Sequence, residues 1–204
     1  MVDSDTILLQ RSQIERASQV LIEAFDRDPI FQYLGKESQV NKNALKYFCE
    51  IILRNAQRYK SAYSNTSDLK GVAAWIPPGK AEITNLQLLS MFFVLPKKCG
   101  WRRSLRNLSL LSALNKRHQQ EMTEPHWTLS LLGVAPIYQG QGIGSLLIQP
   151  VLKKADRECL PCYLSTFTKL GVNFYQKHGF TILWQGKLSA NSPCIWTMKR
   201  EPQH

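Results

Sequence analysis

The 204-residue sequence has no apolar run long enough to cross a bilayer. The longest, Leu86 to Leu95, is about half of what a membrane-spanning helix requires, and Gln87 and Ser90 interrupt it. The opening MVDSDTILLQ lacks a basic region followed by an apolar core and a small-residue cleavage site, so no secretory leader is read and a cytoplasmic location is expected. The five cysteines, Cys49, Cys99, Cys159, Cys162 and Cys194, are an odd number and widely spread. A disulfide framework is therefore excluded in favour of reduced thiols. Cys159-Leu-Pro-Cys162 has C-x-x-C spacing but closes a helix before a strand, whereas a redox pair opens a helix after one. Acidic residues are missing altogether from 83 to 120, a stretch with seven basic ones, while residues 1–82 are nearly balanced. Most of the +11 net charge in excess of balance thus gathers in one segment, which could steer an anionic ligand or an acidic partner, or form a plain solvated helix face. The basic residues carry no recognised nucleic-acid motif and no interleaved stacking aromatics, so nucleic acid is not an expected partner. Neither is a membrane, and no metal-ligating cluster is read.

What is present suits a folded domain. Hydrophobic residues make up 44% and charged residues 20%, the balance of a chain with one core, and no repeat or low-complexity linker divides it. One domain over residues 1–204 is expected. Ile14, Ala17, Val20, Leu21 and Phe25 recur at helical spacing and predict a first helix over 12–25, with Ser12 as a candidate N-cap and a break at Asp26-Arg-Asp-Pro29. A second helix is read over Asn43 to Tyr59, a turn at 63–68 and a strand at Gly71 to Ile76, stopped by Pro77-Pro78-Gly79. Residues 83 to about 120 read as helical in two pieces broken at Pro96 and Gly100.

His126 to Val134 reads as a buried strand, and Gly142 to Glu158 as a helix kinked at Pro150. A strand at Tyr163 to Phe167, a short helix over Val172 to His178, and strands at 179–184 and 194–199 complete the pattern.

Gln139-Gly-Gln-Gly-Ile-Gly144 joins the predicted strand to the predicted helix, where the first backbone N–H groups have no intrahelical partner. Glycines at 140, 142 and 144 remove Cβ atoms that would keep a pyrophosphate from the backbone, and the helix dipole favours an anion there. A P-loop needs Lys-Ser/Thr after its last glycine, yet Ser145 follows Gly144 directly; the Rossmann fingerprint needs G-x-G-x-x-G, not G-x-G-x-G.

Gln139-x-x-Gly-x-Gly144, preceded by Leu131-Leu-Gly-Val-Ala-Pro136, resembles the acetyl-CoA motif of the GNAT superfamily. Asn173-Phe-Tyr-Gln-Lys-His-Gly-Phe180 resembles a second signature of that superfamily. Glu124-Pro-His-Trp127, Ala24-Phe-Asp-Arg-Asp-Pro29 and Gly71-Val-Ala-Ala-Trp-Ile-Pro-Pro-Gly79 resemble its puromycin N-acetyltransferase-like branch. The resemblance implies an α/β (α+β) fold: a central, mixed but mostly antiparallel twisted sheet flanked by helices, with a helical insertion at about 80–123. It further implies that the fourth and fifth strands splay to admit the pantetheine arm. Leu132, Gly133 and Val134 would pair with that arm, residues Gln139, Gly140, Gln141, Gly142, Ile143, Gly144 and Ser145 would hold the pyrophosphate, and Asn173 would position the cofactor or cap its helix.

Acyl transfer from a thioester to an amine needs an uncharged amine, a stabilised oxyanion and a proton for the departing thiolate. Tyr175 suits the last, because a phenol stays protonated at neutral pH. Glu124 and His126 are candidate bases. Where members of that branch often carry Glu in the fifth strand, this chain has Ser165. Asp28, Tyr33, Trp75 and Trp127 are candidates for the acceptor site. The expected activity is acetyl-CoA-dependent N-acetylation of a small primary amine; acetylation of a protein or peptide, and acyl-CoA sensing without turnover, are the alternatives.

Overall fold

The computed structural model describes residues 6–35, 39–65, 68–189 and 192–203. Among them run seven strands and seven α-helices: β1 (Ile7–Leu8), α1 (Ile14–Ala24), α2 (Pro29–Gly35), α3 (Gln39–Arg58), β2 (Ala62–Ser64), β3 (Gly71–Ile76), α4 (Asn85–Cys99), α5 (Trp101–Glu121), β4 (Trp127–Val134), α6 (Ile143–Arg157), β5 (Cys162–Thr166), α7 (Lys169–Gln176), β6 (Thr181–Gly186) and β7 (Ile195–Arg200). The strands form one sheet in the order β1-β2-β3-β4-β5-β7-β6. All neighbours are antiparallel except β4 and β5, so the sheet is mixed and mostly antiparallel, as the resemblance implied.

Strand β3 is buried along its whole length because helices cover both faces. Val72, Ala74 and Ile76 pack with Leu21 of α1 and Ile52 and Leu53 of α3. Ala73 and Trp75 alternate to the opposite face, among Leu147, Ile148 and Val151 of α6. Amphipathic spacing explains α1, whose Ile14, Ala17, Val20 and Leu21 are buried.

The sequence reading departs from the structure where local chemistry competes. Ser12 does not cap α1; it lies in a 3-10 turn over Arg11–Gln13, which Gln10 and Gln13 cap reciprocally. Pro29 opens α2 rather than only closing α1: Asp28 Oδ1 accepts the Ile30 N–H at 2.9 Å, and proline at the first helical position has no donor to waste. Pro96 lies inside α4, and the break falls at Gly100 alone, with φ +80°. Thr84 and Gln87 form a capping box at the start of α4. Pro150 likewise lies inside α6 and removes the donor that the Leu146 carbonyl would meet. The Thr6 hydroxyl supplies one instead, at 3.3 Å. The short helix begins at Lys169, before the predicted Val172, and Thr168 Oγ1 caps it by accepting the Gly171 N–H at 3.0 Å; Asn173 therefore is not its N-cap.

Helix α5 lies over β5 and β6, where His118 stacks on Tyr163 with ring centroids 4.2 Å apart and Arg117 covers Trp184 at 3.9 Å. Beside the far sheet edge, Asp156 of α6 receives both terminal nitrogens of Arg200 at 2.6 and 2.9 Å. No helix among the described residues is long and apolar enough to cross a membrane.

Candidate active site

The two parallel strands share only three rungs: Trp127 with Cys162, Thr128 with Tyr163 and Leu129 with Leu164. Beyond Leu129, β4 continues on β3 as far as Val134, while β5 continues on β7 to Thr166. The strands therefore part after three residues and leave a fork. An irregularity in β4 sits at the parting point, since Ala74 faces Leu131 and Trp75 faces Leu129, so Ser130 is the extra residue of a bulge. A bulge raises local twist and bends its strand, which accounts for the divergence. Residues Leu132, Gly133 and Val134 then have β3 on one side and no β5 partner on the other.

The glycine loop stands at the mouth of the fork. Gln139 Nε2 donates to the Val134 carbonyl at 2.9 Å and ties the loop to the end of β4. Gly142, with φ +81°, precedes α6 without any side-chain cap. The first helical bond there runs from Leu146 N to the Gly142 carbonyl at 3.1 Å, so the N–H groups of Ile143, Gly144 and Ser145 have no intrahelical acceptor. A Cβ on Gly140 or Gly142 would meet nothing within 4 Å, so both backbones are open to a ligand. Gly144 differs: its Cβ would come within 3.3 Å of Phe174, so its role is close packing against α7. An unpaired strand edge leading to uncapped amides fits an extended arm ending in phosphates.

Tyr175 lies on α7 beside Phe174 and Phe180. Burial first, and the Asp28 carboxylate second, raise its phenol above the ordinary value. Asp28 belongs to the α1 and α2 face and Tyr175 to the α6 and α7 face. Burial also raises Asp28, against the N–H groups of Ile30 and Phe31.

On the α1 face the structure brings in a residue that the sequence reading missed. Glu82, in the connection from β3 to α4, faces Ser130 at the bulge; burial raises its carboxyl and the Ser130 hydroxyl opposes that rise. Asn55, itself buried, fixes this connection by donating to the Glu82 carbonyl at 2.9 Å and to Gln87 Oε1 at 2.8 Å. Gln87 Oε1 also accepts the Thr84 N–H at 2.8 Å. The only sequence signal was an acidic residue just before the Thr84 capping box.

The two candidate bases lie at the closed end of β4. His126 is four residues before Ser130, about 13 Å along an extended strand. Its Nδ1 donates to the Glu124 carbonyl at 2.6 Å, and its Nε2 shares a hydrogen bond with His118 Nε2 at 2.7 Å. Burial first, and His126 second, push His118 down to about 4, so it is neutral at physiological pH. Glu124 is exposed, and its hydrogen bond to Lys199, 2.7 Å away, holds its carboxyl below the usual range.

Tyr33 stands on the α2 side, its ring covered by Arg106 at 4.6 Å. Trp75 and Trp127 instead pack into the core beneath α6, and the Trp127 indole donates to Glu158 at 2.8 Å. Asn173 is exposed on α7.

A forked sheet whose open edge runs into uncapped helix amides suits a ligand with an extended arm and phosphates at its end. Comparison with known proteins finds that residues 112–182 match the family described as acetyltransferase (GNAT) domain. The match spans the end of α5 through the start of β6, and so takes in the fork, the glycine loop and α7. It is 24% identical over 193 residues to a probable serine/threonine-protein kinase of Dictyostelium discoideum, covering 85% of this chain but 20% of that protein. The chain thus spans about a fifth of that relative's length. It is 25% identical over 180 residues to an uncharacterized N-acetyltransferase of Schizosaccharomyces pombe, covering 84% of this chain and 72% of the relative.

Among solved structures, a histone acetyltransferase-related protein of Corynebacterium glutamicum superposes with a TM-score of 0.68 at 18% identity, over 98% of this chain and 96% of that one. The polyamine N-acetyltransferase of Drosophila melanogaster does so at 0.64 and 14%, over 96% and 98%. A Thermoplasma acidophilum N-acetyltransferase in complex with coenzyme A reaches 0.55 at 17%, over 96% and 97%. At such identities the likeness is one of fold.

Proposed function

We propose that residues 1–204 act as one unit in the cytoplasm, transferring an acetyl group from acetyl-CoA directly to a primary amine of a small molecule in a ternary complex. The carrying observation is that β4 and β5 part after three rungs beside the uncapped amides of α6, with a raised Glu82 carboxyl at the Ser130 bulge and a Tyr175 phenol raised by burial and by Asp28. Two carboxyl groups on the acceptor side suit an ammonium. The likeness to a polyamine acetyltransferase and the puromycin-type motifs around Asp28 and Trp75 support a small amine. Acetyl-CoA supplies the activated acyl carbon and the thiolate leaving group.

In this reading Leu132, Gly133 and Val134 offer the free edge of β4 to the pantetheine arm. Residues 139–145 face the pyrophosphate, with Asn173 alongside. Glu82, near the bulge and raised by burial, takes the proton of the ammonium at its carboxylate, directly or through one water. Its position at the parting of the strands favours it over Glu124, which Lys199 engages, and over His126, at the closed end. Tyr175 Oη gives a proton to the departing sulfur.

Thiol release with acetyl-CoA over a panel of polyamines and arylalkylamines tests the activity. A base works only when deprotonated, so kcat/KM should rise as pH rises through the elevated Glu82 value. Glu82→Gln should lower kcat about 10- to 100-fold and remove that acidic limb. An unchanged limb in the variant would assign the base elsewhere, and no thiol release with any amine would end the small-amine reading.

A further inference from the structure

The helical pair α4 and α5 carries a surface that the transferase chemistry does not use. On α4, Leu86, Leu89 and Phe93 recur at i, i+3 and i+7 and are exposed, at 77%, 55% and 61%. On α5, Trp101 and Leu105 recur at i and i+4 and are likewise exposed. Phe92 joins the two stripes, its ring centroid 5.7 Å from that of Phe93 and 5.8 Å from that of Trp101. The opposite side of the pair serves the core: Met91 and Leu95 are buried against Ala44 and Ile51 of α3. The outward apolar face is therefore additional to what folding needs. Single exposed leucines are ordinary, but a contiguous set containing two phenylalanines and a tryptophan marks a contact surface.

Its charge decides the occupant. Lys97, Arg102 and Arg103 are exposed beside the aromatic cluster, and residues 83–120 contain no acidic side chain. A second copy of this chain would set the same cations against themselves across a two-fold axis, which opposes self-association through this face. Large apolar side chains that stand out from the surface, rimmed by Lys and Arg, have the composition of helices that lie in the headgroup region of an anionic bilayer. Sequence reading set a membrane partner aside because no run is long enough to span; lying on a membrane needs no such length.

We propose that the α4–α5 pair docks on an anionic lipid surface, with Phe92, Phe93, Trp101, Leu86 and Leu89 entering the interface and Lys97, Arg102 and Arg103 meeting the headgroups. This inference is independent of the acceptor that the enzyme acetylates.

Co-sedimentation with phosphatidylserine/phosphatidylcholine vesicles, with pure phosphatidylcholine vesicles as the comparison, tests it. The full chain should pellet with the anionic vesicles and at least about tenfold less with the neutral ones. Phe93→Glu with Trp101→Glu should reduce anionic-vesicle binding at least about tenfold, and Arg102→Glu with Arg103→Glu should do the same. Both double variants alter exposed positions, so melting temperature and acetyl-CoA binding should match wild type, which separates lost docking from lost folding. No binding to anionic vesicles, or binding indifferent to Phe93 and Trp101, would overturn the proposal. Dimerisation in light scattering that Phe93→Glu with Trp101→Glu abolishes would overturn it in favour of a second copy.

Discussion

Tyr175→Phe should lower kcat about 100- to 1,000-fold and leave acetyl-CoA affinity within about twofold, the range a positioned proton donor commands. The phenyl ring keeps its packing on Phe174 and Phe180, with centroids 5.1 and 5.7 Å away, so the substitution removes one hydroxyl and little else. The thiolate that leaves has a conjugate acid near the ordinary thiol range, about 8.5, below a phenol at about 10. Burial and the Asp28 charge raise the phenol further, so it stays protonated across the working pH range and its proton is held until sulfur takes it. Steady-state kinetics paired with calorimetric acetyl-CoA titration provides the two readings. Unchanged kcat would remove Tyr175 from the chemistry. A parallel loss of affinity would make it a binding residue.

Gly142→Val should weaken acetyl-CoA binding by about 100-fold or more, through two additive causes. At φ +81° a β-branched residue is strained by roughly 1–2 kcal/mol, which tilts the loop away from its present shape. The new side chain would also stand in open space in front of the amides of Ile143, Gly144 and Ser145. The measurement is the melting temperature with and without acetyl-CoA. At about 100 times its dissociation constant the ligand adds about 2.7 kcal/mol to wild type, a rise on the order of 5–10 °C for a chain of this size. The variant should melt somewhat lower without ligand and show no rise with it. A full rise in the variant would move the phosphates away from this loop, and no rise in wild type would remove the cofactor.

The glycine loop of the candidate site was legible because it is local. The spacing of glutamine and glycine at 139–144 lies in one strand-to-helix turn whose helix amides are uncapped, so six consecutive residues carry the signal. Strand β3 was read with its observed bounds for a similar reason, since a continuous apolar run closed by Pro77-Pro78-Gly79 has few other fates. The proposed acceptor half was not legible because it is assembled by tertiary structure. Glu82 reaches Ser130 only through the bulge, and nothing in the spacing of 48 residues between them announces it. The same bulge upsets side-chain parity along β4, and Trp75 and Trp127, read as candidates for the acceptor pocket, belong to the α6 face. Pro96 was read as a break because proline opposes helix, yet the capping box at Thr84 and the buried Met91 and Leu95 carry α4 past it to Gly100.

Three rungs between β4 and β5 also make this sheet mechanically two plates joined by a short seam. Strands β1 to β4 form one plate and β5 to β7 the other, and the backbone hydrogen bonds crossing between them are confined to the closed end. Any rotation of one plate against the other is concentrated at those rungs, opening or narrowing the fork as a wedge does. In the proposed reading a thioester arm lying along β4 is then a splint as well as a reactant: it fills the seam where the protein's own pairing stops, and so steadies the side chains that reach the fork from either plate.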